Sequence, residues 1–361
     1  MGNSSIRIAI ILASVLVLLP RQSHAQVEND SSGIDHRLLP LAFYLPETGL
    51  ALGGLGILTF RLPGENSTSR PSQIIYSAAY TTRGQLLIYA PFEMYAKDGK
   101  RRHIGEIGYY RYSYSYYGLG PDSELDDELV YRANFPRVQY TSLWEVIPGL
   151  LLGAGAKYDH FSLPDLRNLT DSCACAPPGA EGGNVMMWSA TAVYDTRDVL
   201  FYPTQGLFAQ LVHDRSWSSV LSDYSFSRWS ADLRAYLEVG QVGILASRIY
   251  GMRTTDDTPF YHQPYISSGS LSRGFPDRRF ISDQILSWQQ ELRFPIRGRF
   301  YGAGFYSFTH VGKEIDTSHM QWSLGGGVRY VLDEAEGTRI RLDVGVQREG
   351  WNFYLTVNEA F

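Results

Sequence analysis

Apolar and polar residues alternate strictly along many stretches of this chain, a pattern typical of β-strands that have two different faces. Between residues 226 and 239, Trp229 and Leu233 fall on one face of such a strand. Asp232 and Arg234 fall on the other face. One face therefore suits hydrocarbon and the opposite face suits a polar interior, as in the wall of a transmembrane barrel.

Alternation interrupted by turn residues predicts sixteen strands. Their predicted ranges are 39–46, 49–62, 71–82, 84–96, 101–115, 128–144, 148–162, 184–196, 205–217, 223–239, 241–254, 283–295, 299–312, 320–333, 337–347 and 351–361. The 336 residues after position 25, divided among sixteen strands, give 21 residues for each strand and its connection, which leaves room for the ~9 to 11 residues that a tilted spanning strand needs. The predicted fold class is all-β, a 16-stranded antiparallel transmembrane β-barrel.

The predicted connections differ in length on the two sides of the sheet. The long ones fall mostly on one side, at residues 116–127, 163–183, 255–282 and 312–319. Barrels of bacterial outer membranes have short periplasmic turns and longer external loops. Connections 63–70 and 196–204 are longer than usual periplasmic turns, and 82–83 is a short external loop. The overall pattern favours a membrane barrel over a soluble secreted β-sandwich.

Composition agrees with a strand-rich chain. The sequence contains 25 Tyr, 17 Phe, 7 Trp and 35 Gly, which suit pleated surfaces and tight turns better than helices. A net charge of −5 argues against a nucleic-acid partner. No apolar run after the first residues reaches the ~18 residues of a spanning helix, so a membrane would have to be crossed by strands.

The chain is divided into three predicted parts. Residues 1–25 have the pattern of a secretory signal peptide, with Arg7 before an apolar run and small residues before the cleavage point. Residues 26–38 are interpreted as a short periplasmic lead, and 39–361 as the barrel. Cys173 and Cys175 lie in a long connection, where a lone C-x-C is too few ligands for a metal site.

No enzymatic site is predicted. The candidate dyads, Asp159 with His160 and His213 with Asp214, are sequence neighbours on strands. Adjacent strand residues point to opposite faces, so neither pair can act together. The sequence has no G-x-S-x-G elbow. No catalytic residue, cofactor or metal is therefore expected.

Several separated motifs together resemble the outer-membrane protein-assembly superfamily typified by BamA, also called bacterial surface antigens. One is the RGF loop motif, at Ser272, Arg273, Gly274 and Phe275. Another is the periplasmic turn motif, at Tyr194, Asp195, Arg197, Asp198, Pro203 and Gly206. The resemblance covers nearly all of the chain after residue 25. It implies that the sixth external loop folds into the barrel lumen.

The resemblance also implies roles for individual residues. Arg273 would meet acidic groups on the inner wall, and strand alternation makes Glu291 the expected partner. His310 stands where the family usually has an Asp, which leaves Asp343 as a weaker candidate for a second acid. Exchanging the charges of Arg273 and Glu291 is expected to restore part of the stability that each single change removes.

The resemblance leads to two functional hypotheses. In the first, the chain acts in outer-membrane protein assembly or translocation through a weak seam between its first and last strands. Residues 26–38 are too short for the periplasmic receiving modules of the family, which weakens this hypothesis. The alternative is a plugged or passive outer-membrane channel or a surface-binding barrel.

The expected surroundings of the chain follow from the resemblance. The localisation is the bacterial outer membrane, and the partners are its lipids and a periplasmic protein. Phe361, the final aromatic residue, resembles the C-terminal signal of barrels assembled by the barrel-assembly machinery, which would make this chain a client of it.

Overall fold

The computed structural model describes residues 34–45, 48–66, 70–166, 176–199, 202–255, 257–266, 269, 271–314, 318–333, 338–357 and 359–361. The predicted signal peptide and both cysteines lie outside these residues. Within them, no helix is long and apolar enough to cross a membrane.

Sixteen antiparallel strands form one sheet in which sequence order is also spatial order. The strands are β1 Asp35–Leu45, β2 Gly49–Phe60, β3 Ser72–Thr81, β4 Leu86–Ala96, β5 Arg101–Tyr116, β6 Leu129–Ile147, β7 Leu150–Phe161, β8 Gly183–Asp195, β9 Gly206–Ser216, β10 Phe226–Val239, β11 Gly243–Thr254, β12 Gln284–Arg297, β13 Phe300–Gly312, β14 Met320–Asp333, β15 Thr338–Gln347 and β16 Gly350–Val357. The predicted all-β class and strand number are confirmed.

The first strand begins earlier than predicted. β1 starts at Asp35 instead of residue 39, so it includes part of the segment that was assigned to the periplasmic lead. Pro40 lies inside the strand and pairs with Gly54 of β2. Among the described residues, β1 pairs with β2 on one side and with no strand on the other. Proline is tolerated in such an edge strand, because the N–H that it lacks has no ladder partner on the unpaired side.

The last strand ends earlier than predicted. β16 stops at Val357, and the described residues beyond it leave the sheet. Ala360 and Phe361 are buried against Tyr236 of β10 and Ala246 of β11. The prediction that the strand continues to residue 361 is therefore wrong. The chain leaves the sheet after Val357, and Phe361 is buried inside the barrel instead of occupying a position in the strand.

The two faces of the sheet are chemically distinct, as the alternation predicted. On β10, Trp229 and Leu237 are 57% and 61% exposed on the outward face. Asp232 and Arg234 on the inward face are 2% and 3% exposed. The outward face is thus an apolar band, whereas the inward face carries buried charges.

Three long connections pack together at one end of the barrel, which we call the long-loop end. They are 117–128, 162–182 and 255–283. Gly120 N donates to Ile281 O at 2.7 Å, and Phe260 N donates to Pro178 O at 2.8 Å. Beneath these bonds lies an apolar cluster that we call the outer cap, whose buried members are Tyr131, Ala133, Phe135, Phe161, Leu163, Leu166, Ala180, Val185, Met187, Phe226, Phe260, Tyr261 and Ile281.

Candidate functional site: the docked β11–β12 loop

A group of buried charges lines the inner wall between β12 and β15. Alternation along each strand places these side chains inward, and their side chains are fully buried. We call this group the inner-wall cluster; it consists of Glu291, Arg293, Arg329, Arg341 and Asp343. Charges buried to this degree need close partners of opposite sign.

The loop between β11 and β12 contributes one more charge to this cluster. Arg273 Nη1 lies 2.6 Å from Glu291 Oε2 and 2.7 Å from Asp343 Oδ2. Its guanidinium carbon also lies 3.4 Å from the centre of the Phe305 ring on β13. One arginine therefore joins the loop to two carboxylates and to an aromatic face.

The backbone around Arg273 is held by the last strand. Gly274 N donates to the Tyr354 hydroxyl at 2.8 Å, and Asn352 Nδ2 donates to Gly274 O at 2.8 Å. Gly274 has φ +122°, which favours glycine. A Cβ on Gly345 of β15 would lie 2.4 Å from Arg273 O, so the loop backbone rests directly on a glycine of the wall.

The side chains next to the arginine extend this contact to other strands. Ser272 Oγ lies 2.7 Å from Thr309 Oγ1 on β13. Phe275 is buried in an apolar cluster with Phe280 and Ile285. All four residues of the RGF motif thus contact the barrel wall, and together they connect the loop to β12, β13, β15 and β16.

Two further arginines of the loop contact other parts of the chain. Arg278 lies between two tyrosine rings, 4.3 Å from Tyr114 and 4.4 Å from Tyr265. Arg279 Nη2 donates to Glu349 Oε1 between β15 and β16, and also to Ser123 O between β5 and β6, both at 2.8 Å. Arg279 therefore joins three external connections.

Glu291 is shared among several arginines. Besides Arg273, Arg293 Nε lies 2.7 Å from Glu291 Oε1, and Arg329 Nη2 lies 3.4 Å from Oε2. An arginine at position 291 would therefore meet two other arginines. The rescue by charge exchange stays a prediction, and these contacts reduce the rescue that we expect, because Glu291 serves three cations and not one.

Asp343 and His310, the two weaker candidates for a partner of Arg273, differ in whether they face the loop. Asp343 contacts Arg273 directly and also pairs with Arg329. His310 is paired in register with Leu286, which faces outward, whereas its neighbour Thr309 faces the loop. The second acid therefore comes from β15, and the position of His310 on β13 does not face Arg273.

The turn motif between β8 and β9 is stabilised by its own side chains. Arg197 makes two bonds to Asp195, of 2.8 and 2.7 Å. Asp198 Oδ1 accepts from Thr204 N at 3.0 Å. Gly206 has φ +107°, and a Cβ there would lie 2.4 Å from a backbone oxygen, which explains the glycine.

The other turn-motif residues differ in their surroundings. Tyr194 faces outward and Pro203 is buried. Tyr202, which the motif does not include, is buried with its ring 3.0 Å from the guanidinium carbon of Arg339.

The last residues also bind the inner-wall cluster. Arg293 Nη2 donates to Phe361 O at 2.8 Å, and Arg329 Nε donates to Glu359 Oε2 at 3.1 Å. Both arginines also contact Glu291. The segment after β16 and the docked loop therefore depend on the same buried carboxylate.

A second part of the loop, the 3-10 turn Phe260–His262, inserts into the outer cap. Tyr261 stacks on Phe161 with 4.1 Å between ring centres. His262 Nε2 lies 3.6 Å from Asp159 Oδ2. Burial lowers the pKa of His262 well below its ordinary value, and nearby cations, Lys157 first, lower it further.

The structure also places the histidine and aspartate pairs considered for catalysis. Asp159 and Asp214 are buried inside, whereas His160 and His213 lie on the outward-facing positions of the same strands. The neighbours therefore point to opposite faces, as expected. Among the residues that the structure describes, no group of His, Cys, Asp or Glu is arranged to hold a metal ion.

Sequence reasoning missed several contributors to this site. They are Arg329, Gly345, Glu349, Asn352, Tyr354 and Glu359. Gly345 carried a usable signal, since a glycine at an inward position between polar residues indicates close approach of another backbone. The others gave none, because their contacts join segments far apart in sequence.

Comparison with known proteins gives one family and several related folds. The Omp85 superfamily domain matches residues 183–361, from β8 to the final residue. A comparison with curated protein sequences gave no match.

The solved structures similar to this chain are outer-membrane barrels. BamA from Haemophilus ducreyi lacking POTRA domains 1–3 has a TM-score of 0.61 at 13% identity, covering 91% of this chain and 70% of that one. CdiB from Acinetobacter baumannii has a TM-score of 0.55 at 11% identity, covering 91% and 65%. CdiB from Escherichia coli has a TM-score of 0.57 at 11% identity, covering 89% and 61%. At these identities the likeness shows the shared fold.

Proposed function

We propose that this chain, which belongs to the Omp85 superfamily and lies in the bacterial outer membrane, handles protein segments at a seam between β1 and β16 in outer-membrane protein assembly or translocation. One observation carries the proposal. Every pair of consecutive strands is joined by a ladder, but no ladder among the described residues joins β1 to β16. A strand edge with unpaired N–H and C=O groups can bind an extended peptide by adding it to the sheet.

The sequence of β1 supports a weak seam. Pro40 contributes no N–H to any ladder on its free side. Leu38, two residues before Pro40 on the same strand, is 69% exposed, so the edge presents an apolar side chain beside the unpaired backbone. An incoming amphipathic strand would match both features.

The docked loop supports a plugged barrel over the alternative of a wide passive channel. Arg273 and its partners hold the loop against the inner wall, and the outer cap packs three connections together at the long-loop end. Large, steady single-channel openings that do not change when residues 270–280 are deleted would favour the channel instead.

The remaining sequence assignments form part of this proposal. Residues 1–25 act as the signal peptide, and the barrel begins at Asp35. The RGF motif holds the plug. The final Phe361 serves as the recognition signal for the barrel-assembly machinery, and a periplasmic protein delivers the segments.

The seam can be tested with a photo-crosslinking residue placed at Leu38 in the full chain, reconstituted in vesicles and supplied with a urea-denatured outer-membrane barrel protein. Adducts with the added polypeptide are expected at position 38. Leu207 on β9 is the matched control, since it is an outward leucine of similar exposure, 51%, far from the seam. Equal adduct yields at both positions, or none at position 38 while the added protein folds, would contradict the proposal.

A further inference from the structure

A groove of about 630 Å³ crosses the outward face of the barrel from β7 to β12. Its floor is formed by small outward residues, Ala192, Ala231 and Gly251. Leu211 and Leu286, which are exposed, stand along it. The groove is therefore an apolar channel in the surface that faces the membrane.

A polar row closes the groove at the long-loop end. His213, Trp229, Arg253 and Gln284 lie directly opposite one another on four neighbouring strands. The rings of His213 and Trp229 stack with 3.7 Å between their centres. Long loops face outward in outer-membrane barrels, so this row lies at the outer-leaflet interface, where amphipathic aromatic rings are common.

Arg253 distinguishes this row from an ordinary aromatic belt. It is exposed on the outward face, and its side chain makes no hydrogen bond or ion pair with any residue in the described part of the chain. A guanidinium at the edge of hydrocarbon is costly unless an anion pairs with it. The groove below it contains no acidic side chain among the lining residues.

We propose that this groove binds a phosphorylated, multiply acylated lipid of the outer leaflet. The phosphate pairs with Arg253, since arginine matches phosphate with two parallel hydrogen bonds. One acyl chain fills the floor over Ala231 and Gly251, where small side chains leave room. The assignment is independent of any role of the seam.

A second copy of the chain fits this surface less well. A two-fold interface brings the same patch of both copies together, so two Arg253 rows would approach each other. The lining residues offer no carboxylate to separate these like charges. A lipid phosphate instead supplies the missing negative charge.

Another outward groove provides an internal contrast. It crosses β1 to β5 with a volume of about 780 Å³, and Gly54, Ala78 and Ala90 are among its small lining residues. No charged side chain lines it. We expect it to hold acyl chains of any membrane lipid without preference for a phosphate headgroup.

The test is native mass spectrometry of the purified full chain in mild detergent, titrated with diphosphorylated lipid A or with neutral dioleoylphosphatidylcholine. The wild type should retain one lipid A molecule more tightly than the neutral lipid. Arg253→Gln should weaken lipid A binding about fivefold and leave phosphatidylcholine binding unchanged. Arg111→Gln, which removes an exposed outward arginine from β5, is the matched control and should change neither.

A larger side chain on the floor of the groove tests whether the acyl chain binds there. A Cβ at Gly251 would meet nothing closer than 3.6 Å, so Gly251→Leu adds its side chain without a backbone clash. It should weaken lipid A binding, whereas Gly304→Leu should not, because Gly304 is exposed on the outward face of β13 with no atom within 4 Å of its Cβ.

Two results would overturn the assignment. Equal lipid A affinity in wild type, Arg253→Gln and Gly251→Leu would show that no such site exists. A wild-type dimer that Gly251→Leu converts to monomers would show that the groove is an interface between copies.

Discussion

The β11–β12 loop is held at two places by opposite kinds of chemistry. Near its start, Phe260 and Tyr261 insert among aromatic side chains of the outer cap. Further along, Arg273 enters a network of buried charges. The loss of stability from changing an apolar side chain depends on how much of the side chain is removed. Removing one partner of a buried ion pair costs several kcal/mol in a single step, because the other charge stays buried without a partner. We therefore expect the contacts of Arg273 to determine the position of the loop on the inner wall. We expect the aromatic contacts of Phe260 and Tyr261 to make a smaller contribution to its stability.

The sharpest way to break the charged attachment is to remove Glu291, because three arginines share it. Glu291→Gln keeps the size of the side chain but leaves Arg273, Arg293 and Arg329 with less negative charge. We expect the free energy of unfolding to fall by about 3 to 5 kcal/mol. The midpoint of urea unfolding in detergent, and the temperature of the heat-modifiable gel shift, both report this loss.

A matched control is Glu106→Gln on β5. Glu106 is also buried, but its hydrogen-bond partners Tyr110 and Gln139 are neutral. The cation near it, Arg137, is paired directly with Asp159. This variant should lose far less stability. Equal losses in the two variants would mean that the charge network is not what holds the loop.

A smaller effect should follow from Gly345→Ala, which leaves every charge in place. Its methyl group would lie 2.4 Å from Arg273 O, so the loop backbone must move away. Overpacking of this kind costs about 1 to 3 kcal/mol. Hydrogen exchange at the Gly274 amide, which donates to Tyr354, should become faster. Gly304→Ala is the control, and a similar change in that variant would remove the steric explanation.

We expect the stability contributed by the aromatic contacts to depend on pH through His262, and we expect this effect to be the smallest of those described. Its folded pKa lies below its ordinary value of about 6.5. As pH falls through that value, the unfolded chain takes up a proton that the folded chain does not, so the free energy of unfolding decreases. The stability of wild type relative to His262→Gln, measured between about pH 7.5 and pH 5, should therefore decline. A constant difference would contradict this role of His262. The charged groups near His262 are Asp159 and Lys157 of β7, Arg137 of β6 and Arg228 of β10.

Sequence reasoning was most successful where the information is local. Alternation identified the outward face of β10 and placed Glu291 and Asp343 on inward positions, because side chains in a strand point to opposite sides with a period of two. It was less successful at the chain ends, where β1 begins at Asp35 and β16 ends at Val357.

By itself, the sequence determined the strand number and the two faces of the sheet, and its resemblance to a known family made Arg273 and Glu291 candidates. Only the tertiary structure decided that Asp343 stands beside Glu291, that Gly345 receives the loop backbone, and that Phe361 turns inward. The physical reason is that strand periodicity acts between neighbours along the chain. The contacts of Arg273 instead cross the inside of the barrel, and the curvature of the whole sheet determines which side chains meet there.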